Sequence, residues 1–439
     1  MEGKRPTVGI YTLGCKVNQY ESEAVAERLT SLGFEVRGHA DTCDAYVINT
    51  CTVTAESDRK ARQFIRRAIK KNPQAYIAVT GCFAETGKMS LSKIDGVDLI
   101  VGNAKKLPVA DELAALVALG KKNTEPNILV PRIDEADFEK MYITRFDRTR
   151  AYIKIEDGCE NRCAYCIIPS ARGKVRSKPM EEVLSEVCEL TRGGCREVVL
   201  TGIETASYGK DLYGRPMLGE LLCQVDKIEG IGRVRLGSLD PSLIRPEFVD
   251  KISNLKSLTP HFHLSLQSGC SRILALMKRR YNADQAMRAI ELLRSRIKDV
   301  QLTTDVIVGF PQETDADFKE TCEFMDRAGF LMAHIFTYSK REGTVAARMS
   351  GQIPENIKTQ RLHILEDLVA KRRGEILGRI VASGETRRVL FETEKDGYLF
   401  GHTAEFIEVA VATDSDLRGK FADVRLVSVN GDSCIGELI

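Results

Sequence analysis

Short apolar segments that alternate with amphipathic segments limit the fold of this chain more than any other feature. The segments "TVGIYTLG", "DAYVINT" and "AYIAVTGC" have the length and β-branched content of buried parallel strands. Between them, "ESEAVAERLTSLGF" and "ESDRKARQFIRRAIKKN" space their apolar residues as amphipathic helices do. Such alternation builds a parallel sheet with helices on both faces. We therefore predict a doubly wound α/β domain over residues 1–140. The pattern is weaker over 105–150, where "GKKNTEPNILVPRIDEADFEK" at 120–140 resembles a linker.

A second alternating region occupies residues 141–370. Its strand candidates are "EVVLTGIE", "RVRLGSLDP", "HFHLSLQSGC", "QLTTDVIVGFP" and "MAHIFTYS", with helices such as "PMEEVLSEVCELTRGG" and "NADQAMRAIELLRSRI" between them. Repeated βα units of this length predict a full or partial (β/α) barrel. Chemistry in such folds sits at the carboxyl ends of the strands. The polar residues that follow the strands are therefore site candidates: Glu204, Asp240, Gln267 and Asp305.

The C-terminal part has a different character. After a predicted helix over about 354–373, glycines separate short strand-like runs: "EILGRIVASG", "RRVLFETEKDGYLFGH", "FIEVAVAT" and "FADVRLVSVNGDSCIGELI". This pattern predicts a small all-β barrel. The predicted fold class is thus α/β, with three domains at 1–140, 141–370 and 371–439.

Composition excludes several classes of protein. Hydrophobic residues make up 43% of the 439 residues and charged residues 29%, which is typical of a globular chain. No run of about 18 apolar residues occurs, so we expect neither secretion nor a membrane span. We therefore predict a cytoplasmic location. Thirteen cysteines are too few for a disulfide scaffold. The net charge of +2 does not indicate nucleic acid by itself, so any such surface must be a local patch.

The segment "EDGCENRCAYCIIPS" carries the strongest chemical signal. Cys159, Cys163 and Cys166 have the spacing C-x3-C-x2-C on one predicted loop. Structural zinc usually takes four ligands and C-x2-C pairs, so zinc fits less well. An iron–sulfur cube is commonly held by four thiolates, one per iron. Three thiolates leave one iron open, and an open metal position is what a catalytic site keeps for a small molecule.

A second set of cysteines is dispersed along the chain. Cys15, Cys51 and Cys82 each follow a predicted parallel strand by one or two residues. The carboxyl ends of such strands converge on one crevice, so the three thiols could ligate one cluster. The alternative is that they are small apolar residues at strand ends, and the spacing alone leaves both readings open. Other cysteines, such as Cys43 and Cys434, are expected to be core residues.

These motifs carry a resemblance. "GCENRCAYC" is similar to the signature of radical S-adenosylmethionine enzymes. Together with Cys15, Cys51, Cys82 and the β-rich tail, it resembles the methylthiotransferases over about residues 7–437. That family joins a three-cysteine domain, a radical SAM domain and a TRAM barrel. "TLGCKVNQYES", "NTCTVT" and "ARGKVRSKP" look most like the branch that modifies threonylcarbamoyladenosine in tRNA.

The resemblance implies two [4Fe-4S] clusters and S-adenosyl-L-methionine. The cluster on Cys159, Cys163 and Cys166 would bind S-adenosylmethionine and give a 5′-deoxyadenosyl radical. The cluster on Cys15, Cys51 and Cys82 would hold the sulfur that is methylated and inserted at C2 of the adenine beside the anticodon, at position 37. The implied partners are the tRNA anticodon stem-loop and an unidentified one-electron reductant.

Strand-end residues are further candidates for binding S-adenosylmethionine. Each has a plain structural alternative, such as a turn, packing or a solvated strand end. Glu204 departs from the branch, where the resemblance implies a non-acidic residue nearby. The candidates are Tyr165, Gly202, Glu204, Ser238, Ser265, Gln267 and Asp305.

Three basic runs indicate phosphate contacts, because such contacts supply most of the affinity for nucleic acid. They are "ITRFDRTRAYIK", "ARGKVRSK" and "MKRRYN", although a charge run is more often a solvated face. Residues 371–439 carry ten Lys and Arg against twelve Asp and Glu, so RNA binding there needs a local face, with Arg387, Arg388 and Phe391 as candidates. The residues predicted to contact RNA are Arg148, Arg150, Arg172, Lys174, Arg176, Lys278 and Arg279.

Three other functions stay open. The same chemistry could act on isopentenyladenosine tRNA or on an aspartate of a ribosomal protein. A function of a different class is a non-catalytic RNA-binding protein whose cysteines hold structural metal. The sulfur donor, the electron donor, the tRNA isoacceptors and the oligomeric state do not follow from the sequence.

Overall fold

The computed structural model describes residues 5–122, 124–146 and 148–439. The strands of its first two sheets are β1 (Thr7–Thr12), β2 (Glu35–Arg37), β3 (Ala45–Thr50), β4 (Tyr76–Gly81), β5 (Leu99–Val101), β6 (Asn127–Leu129), β7 (Ala151–Lys154), β10 (Glu197–Thr201) and β11 (Arg233–Leu236). The remaining strands are β8 (Glu156–Asp157), β9 (Arg176–Ser177), β12 (Ser238–Leu239), β13 (His261–Gln267), β14 (Gln301–Val308), β15 (Met332–Thr337), β16 (Thr386–Lys395), β17 (Tyr398–His402), β18 (Glu408–Ala412), β19 (Phe421–Asn430) and β20 (Ser433–Leu438).

α-Helices occupy much of the chain between these strands. The first six α-helices are α1 (Lys16–Ser31), α2 (Ala55–Lys71), α3 (Cys82–Leu91), α4 (Pro108–Leu119), α5 (Ile168–Arg172) and α6 (Met180–Arg192). The others are α7 (Lys210–Tyr213), α8 (Leu218–Val225), α9 (Pro246–Ile252), α10 (Ser271–Leu276), α11 (Ala283–Arg296), α12 (Asp315–Ala328) and α13 (Glu355–Ala382).

The N-terminal sheet is parallel, with the strand order β2-β1-β3-β4-β5-β6. Its two faces pack into separate apolar clusters under the helices, so the predicted doubly wound architecture is confirmed. Strands β1, β3 and β4 are neighbours, and each ends just before one of the three dispersed cysteines. The prediction of a linker over 120–140 is wrong in part, because β6 lies within this segment and adds a strand to the sheet of this domain.

The central domain is the predicted partial barrel. One sheet has the order β11-β10-β7, a second has the order β12-β13-β14-β15, and all these strands are parallel. The chain passes from β11 to β12 through Gly237, which joins the two sheets. Apolar side chains on the outer face form one large core with α6, α8, α9, α11 and α12. The other face, lined by residues such as Ser265 and Asp305, is left for polar side chains.

The C-terminal strands close into a barrel with the order β16-β17-β18-β20-β19, as predicted. "EILGRIVASG", however, is not a strand, because α13 continues to Ala382. Its apolar residues Ile376, Leu377, Ile380 and Val381 lie on one helical face that packs onto the core of the small barrel. The predicted boundary at residues 370 and 371 thus falls inside α13, and the division into three domains stays a prediction.

Buried polar contacts hold the domains together. The Tyr20 hydroxyl of α1 lies 2.8 Å from the Met141 carbonyl oxygen and 3.0 Å from the Glu186 carboxylate of α6, and its single hydrogen donates to one of these acceptors at a time. The C-terminal barrel is fixed by Arg235, which donates to the carbonyls of Ala404 (3.1 Å) and Thr403 (3.3 Å). Among the described residues, no helix has the length and apolar character that crossing a membrane requires.

Candidate active site

The C-x3-C-x2-C loop lies between β8 and α5, at the carboxyl end of the barrel strands. Gly158 sets its start with a φ of +86°, and a Cβ there would lie 1.9 Å from the Lys174 carbonyl oxygen. The Cys159 N–H donates to the Gly173 carbonyl at 3.0 Å, and the Cys166 N–H donates to the Cys163 carbonyl at 3.1 Å. The loop therefore curls back on itself and presents three half-buried thiols on one side.

These thiols form one wall of a cavity of about 320 Å³. The opposite wall comes from the ends of β13, β14 and β15, including Ile307, Phe336 and Tyr338. Five residues predicted to contact S-adenosylmethionine also line it: Tyr165, Glu204, Ser265, Gln267 and Asp305. Gly202 and Ser238 lie outside the wall that the described residues form. Gly202 packs against Glu156, where a Cβ would lie 2.6 Å from the carboxylate, and Ser238 is exposed at the start of β12.

Glu204 is hydrogen-bonded to this loop. The Asn161 side-chain amide, which belongs to the loop, donates to the Glu204 carboxylate at 2.7 Å. Burial, and then repulsion from Asp240, raises the pKa of Glu204 to about 7. The carboxyl group is therefore poised between its neutral and charged forms, and it can both accept and donate a hydrogen bond.

The dispersed cysteines meet at one edge of the N-terminal sheet. Cys15 caps α1 after β1, Cys51 follows β3, and Cys82 begins α3 after β4. A Cβ placed on Gly14, which precedes Cys15, would lie 3.4 Å from the Cys51 Sγ. Burial, followed by repulsion from the thiols of Cys82 and Cys15, raises the pKa of Cys51 to about 11. The three thiols thus share one environment, as the strand order requires.

Both thiol sets suit a polynuclear cluster. Within the described residues, no three His, Cys, Asp or Glu side chains lie close enough to hold a single metal ion. Thiolates of an iron–sulfur cube are spaced more widely than ligands of one zinc ion, because each thiolate binds a different iron. The three thiols of each site are the donors that such a cluster takes, and three thiolates would leave one of its four irons open.

The two cysteine sites are neighbours across the domain junction. Val53 and Thr54, just after Cys51, line the same cavity as the C-x3-C-x2-C loop. The Arg341 guanidinium holds this segment by donating to Thr52 Oγ1 and to Asp58, both at 2.7 Å. One cavity is therefore walled by the three cysteines of the loop and by the segment that follows Cys51.

Four of the predicted phosphate contacts are wrong, because the side chains of these arginines are largely buried and hydrogen-bonded within the protein. Arg172 is 0% exposed and donates to Glu21 at 2.6 Å. Arg176 donates to the Arg172 carbonyl at 2.9 Å. Arg150 is paired with Glu392, and the Arg279 side chain donates to Asp240 at 2.7 Å. The other three, Arg148, Lys174 and Lys278, are exposed, as are the neighbouring Arg145 and Arg280.

The RNA-binding face proposed for the small barrel is also partly wrong. Phe391 is buried in the barrel core, and Arg387 is paired with Glu405 and Glu385 at 2.7 Å. Arg388 alone is exposed, with its guanidinium 4.5 Å from the Phe421 ring centre.

Several side chains around the site were not predicted from the sequence. Asn18 and Asn161 brace the two cysteine loops, and Phe336 is 46% exposed inside the cavity. The period-2 pattern of "MAHIFTYS" could have identified Phe336, because it shares a strand face with His334. Asn18 carries no such signal, since two of its partners, the Thr50 carbonyl and Arg172, are distant in the sequence.

Residues 153–325 match the Radical SAM superfamily, and residues 7–102 match Uncharacterized protein family UPF0004. The chain is 37% identical to threonylcarbamoyladenosine tRNA methylthiotransferase MtaB of Bacillus subtilis, over 96% of this chain and 94% of that one. It is 37% identical to MtaB of Thermotoga maritima (99% and 98%) and 34% identical to tRNA-2-methylthio-N(6)-dimethylallyladenosine synthase of Aquifex aeolicus (98% and 98%).

Solved structures resemble the fold. The radical S-adenosylmethionine methyltransferase TsrM from Kitasatospora setae superposes with a TM-score of 0.58 over 78% of this chain and 77% of that one, at 16% identity. At this sequence identity, the similarity between the two chains is one of fold. From the sequence identity over nearly the whole of both chains, the protein belongs to the radical S-adenosylmethionine methylthiotransferase family.

Proposed function

We propose that the protein converts N6-threonylcarbamoyladenosine at position 37 of tRNA to its 2-methylthio derivative. The observation that carries this proposal is the single cavity walled by the C-x3-C-x2-C loop and by the segment after Cys51. Removing hydrogen from a carbon and adding sulfur to it requires both groups to reach the same atom. The relatives named as threonylcarbamoyladenosine tRNA methylthiotransferases support the choice of substrate.

The cofactors are two [4Fe-4S] clusters and S-adenosylmethionine. Cys159, Cys163 and Cys166 would hold one cluster, and Cys15, Cys51 and Cys82 the other. When bound, these groups supply the radical and the sulfur, which no protein side chain can provide. The protein supplies orientation: Glu204, Ser265, Gln267 and Asp305 place polar groups around the cavity where the amino, carboxylate and hydroxyl groups of S-adenosylmethionine need partners.

The target base would stack on the aromatic row of β15. Phe336 and His334 point from this strand towards the inside of the barrel, with their ring centres 6.4 Å apart. His263 continues the row, 5.9 Å from His334, and is held by Asp305 at 3.2 Å. A purine in an anticodon loop is already partly unstacked, so an aromatic surface between the two cysteine sites suits it.

Exposed cations of the central domain would position the tRNA backbone. Arg148, Lys174 and Lys278 are exposed, and the small C-terminal barrel, which resembles a TRAM domain, would add contacts through Arg388. An unidentified one-electron reductant is also required. The cytoplasmic location predicted from the sequence stays a prediction.

The test is methylthiolation by the purified, anaerobically reconstituted full-length chain. Three substrates are compared by mass spectrometry: tRNA with threonylcarbamoyladenosine, tRNA with isopentenyladenosine, and the ribosomal protein that carries the target aspartate. We expect product only with the first. Product with either of the others contradicts the assigned substrate but keeps the chemistry. About eight irons per chain support two cubes, whereas zinc without iron supports the structural-metal alternative. Loss of the 2-methylthio nucleoside from tRNA of a deletion strain would provide the independent test in cells.

A further inference from the structure

Arg172 connects the two cysteine sites. It ends α5, a helix that begins two residues after Cys166, so it belongs to the C-x3-C-x2-C segment. Its Nε–H nevertheless donates to the Sγ of Cys82, in the other site, at 3.4 Å. The side chain is completely buried. A residue of one cysteine loop thus contacts a thiol of the other.

The rest of the guanidinium group is fixed by acceptors. Its Nη1 donates to Glu21 at 2.6 Å and to Asp157 at 3.1 Å, and its Nη2 donates to the Asn18 side-chain oxygen at 2.5 Å. Such bidentate, charge-assisted contacts set the plane of the group. Because the Nη hydrogens are held in this way, the Nε–H remains directed at the sulfur.

Asn18 extends this contact to the other two cysteine loops. Its Nδ2 donates to the carbonyl of Leu13, before Cys15, at 2.7 Å and to the carbonyl of Thr50, before Cys51, at 3.0 Å. Its side-chain oxygen lies 3.9 Å from the Cys15 Sγ. The arginine and the asparagine together therefore reach all three strand-end loops.

The backbone of α5 is anchored to the N-terminal domain as well. The Asn103 side-chain amide donates to the Ala171 carbonyl at 2.7 Å, and Arg176 donates to the Arg172 carbonyl at 2.9 Å. Together they satisfy carbonyl groups at the end of this short helix. Arg172 is consequently held from its backbone to the tip of its side chain.

We propose that Arg172 is a positioning residue for the cluster that Cys15, Cys51 and Cys82 would hold, and that it acts through Cys82. This inference rests on the proposed function. A hydrogen bond to a ligating sulfur stabilises the more negative, reduced form of a cluster and so raises its reduction potential. Since Arg172 belongs to the segment of the other cysteine set, the N-terminal cluster site is complete only when the two domains are docked.

The test uses the full-length chain with Cys159→Ala, Cys163→Ala and Cys166→Ala, which retains only the N-terminal cysteine set. Arg172→Lys and Arg172→Gln are made in this parent and reconstituted anaerobically. Iron and sulfide content, and the midpoint potential from an EPR-monitored titration, are then measured. We expect Arg172→Lys to keep about four irons, as one cube requires, with a reduced fraction about tenfold lower at the parent's midpoint potential. We expect Arg172→Gln to show the same shift or to lose iron. Because Arg172→Lys keeps the positive charge, this variant alone tests the inference if Arg172→Gln does not fold.

Lys154→Met is the matched control. Lys154 is also buried and donates to the same two carboxylates, Glu21 at 2.9 Å and Asp157 at 3.4 Å. The Lys154→Met substitution should destabilise the fold but leave the midpoint potential of the cluster unchanged. The inference is overturned if the Arg172 variants keep the parent's iron content and potential, or if Lys154→Met shifts the potential equally. A parent without any cluster contradicts the proposed function itself and this inference with it.

Discussion

Nη1 of Arg279 donates a hydrogen bond to the Sγ of Cys163 at 3.2 Å. Its Nη2 donates to Asp240 at 2.7 Å and to the Ser265 carbonyl at 3.1 Å, and its Nε donates to the Tyr281 hydroxyl at 3.1 Å. Every nitrogen of the group is engaged. Each cysteine set therefore has a buried arginine on one of its thiols, and this one serves the C-x3-C-x2-C loop rather than a phosphate.

Exchanging Arg279 should damage S-adenosylmethionine cleavage and leave tRNA binding nearly intact. In Arg279→Gln, the loss of a charge-assisted hydrogen bond leaves Asp240 buried without its partner, which destabilises the loop. We expect cleavage without tRNA to fall by at least about tenfold, or about 1.4 kcal/mol. The neighbouring Arg280 is exposed, so Arg280→Gln should keep cleavage and weaken tRNA binding. If Arg279→Gln instead weakens tRNA binding and keeps cleavage, Arg279 contacts RNA and this prediction is wrong.

Substitutions in the two cysteine sets should abolish different steps of the reaction. Cys163→Ala should abolish reductive cleavage of S-adenosylmethionine, because it removes one of three ligands of the radical site. Cys51→Ala should leave cleavage detectable but abolish sulfur insertion. Liquid chromatography of 5′-deoxyadenosine, with mass spectrometry of tRNA nucleosides, distinguishes the two outcomes. If Cys51→Ala eliminates cleavage while the iron content is unchanged, our assignment of the N-terminal cysteines is wrong.

The sequence predicted the meeting of Cys15, Cys51 and Cys82 because parallel strands end at one edge of a sheet. This rule depends only on the order of strands and helices, which the apolar pattern carries. The sequence pattern could not predict that α13 continues to Ala382, because the β-branched residues in "EILGRIVASG" are also typical of a strand. The spacing of Ile376, Leu377, Ile380 and Val381 fits a helix, and only the barrel core that covers them decides between the two.

The basic runs were misread for a different reason. Arg172 and Arg176 look like an exposed cationic patch in "ARGKVRSK", since no acid is near them in the sequence. The carboxylate that pairs with Arg172 is distant in the sequence, since Glu21 lies 151 positions away. A local pattern cannot reveal such pairing, so burial of a cation had to be learned from the structure.

The attachment of the C-terminal barrel should weaken in acid. Glu197 is completely buried at the junction and accepts a hydrogen bond from Arg235 at 3.0 Å, while Arg150 and Arg233 lie nearby. Burial alone would raise its pKa, but these guanidinium groups lower the pKa of Glu197 to about 2. The carboxylate therefore stabilises the fold above its unfolded pKa, and this contribution, about 3 kcal/mol, is lost as pH falls from about 4.5 towards 2.

Glu197→Gln tests this contribution. It should lower the free energy of unfolding at pH 7 by a few kcal/mol and flatten its dependence on pH between about 4.5 and 2. Urea titrations of both chains at several pH values measure the effect. Equal pH dependence in the two chains would show that the junction does not depend on this carboxylate.

Charge reversal at exposed cations should weaken tRNA binding in a salt-dependent way. Lys174→Glu and Arg148→Glu change side chains that are free to meet a phosphate. Each lost contact should reduce the slope of log affinity against log salt by about 1, while S-adenosylmethionine cleavage without tRNA persists. Filter binding at several salt concentrations measures the slope. Unchanged slopes in both variants would place the tRNA on another face.

Phe336 should contribute to binding of the target adenosine. It is 46% exposed and lines the cavity beside the three cysteines of the C-x3-C-x2-C loop. Stacking of a base on an aromatic ring contributes about 1–3 kcal/mol. Phe336→Ala should therefore raise the KM for modified tRNA by roughly 5- to 150-fold, and Phe336→Leu, which keeps volume but not the ring, should behave similarly. Phe336→Tyr should have a KM close to that of the parent, because the stacking surface remains.

Steady-state methylthiolation and tRNA-independent cleavage, measured on the same preparations, distinguish an effect on tRNA binding from an effect on cleavage. If Leu restores the KM as well as Tyr does, the side chain only fills space and the adenine stacks elsewhere.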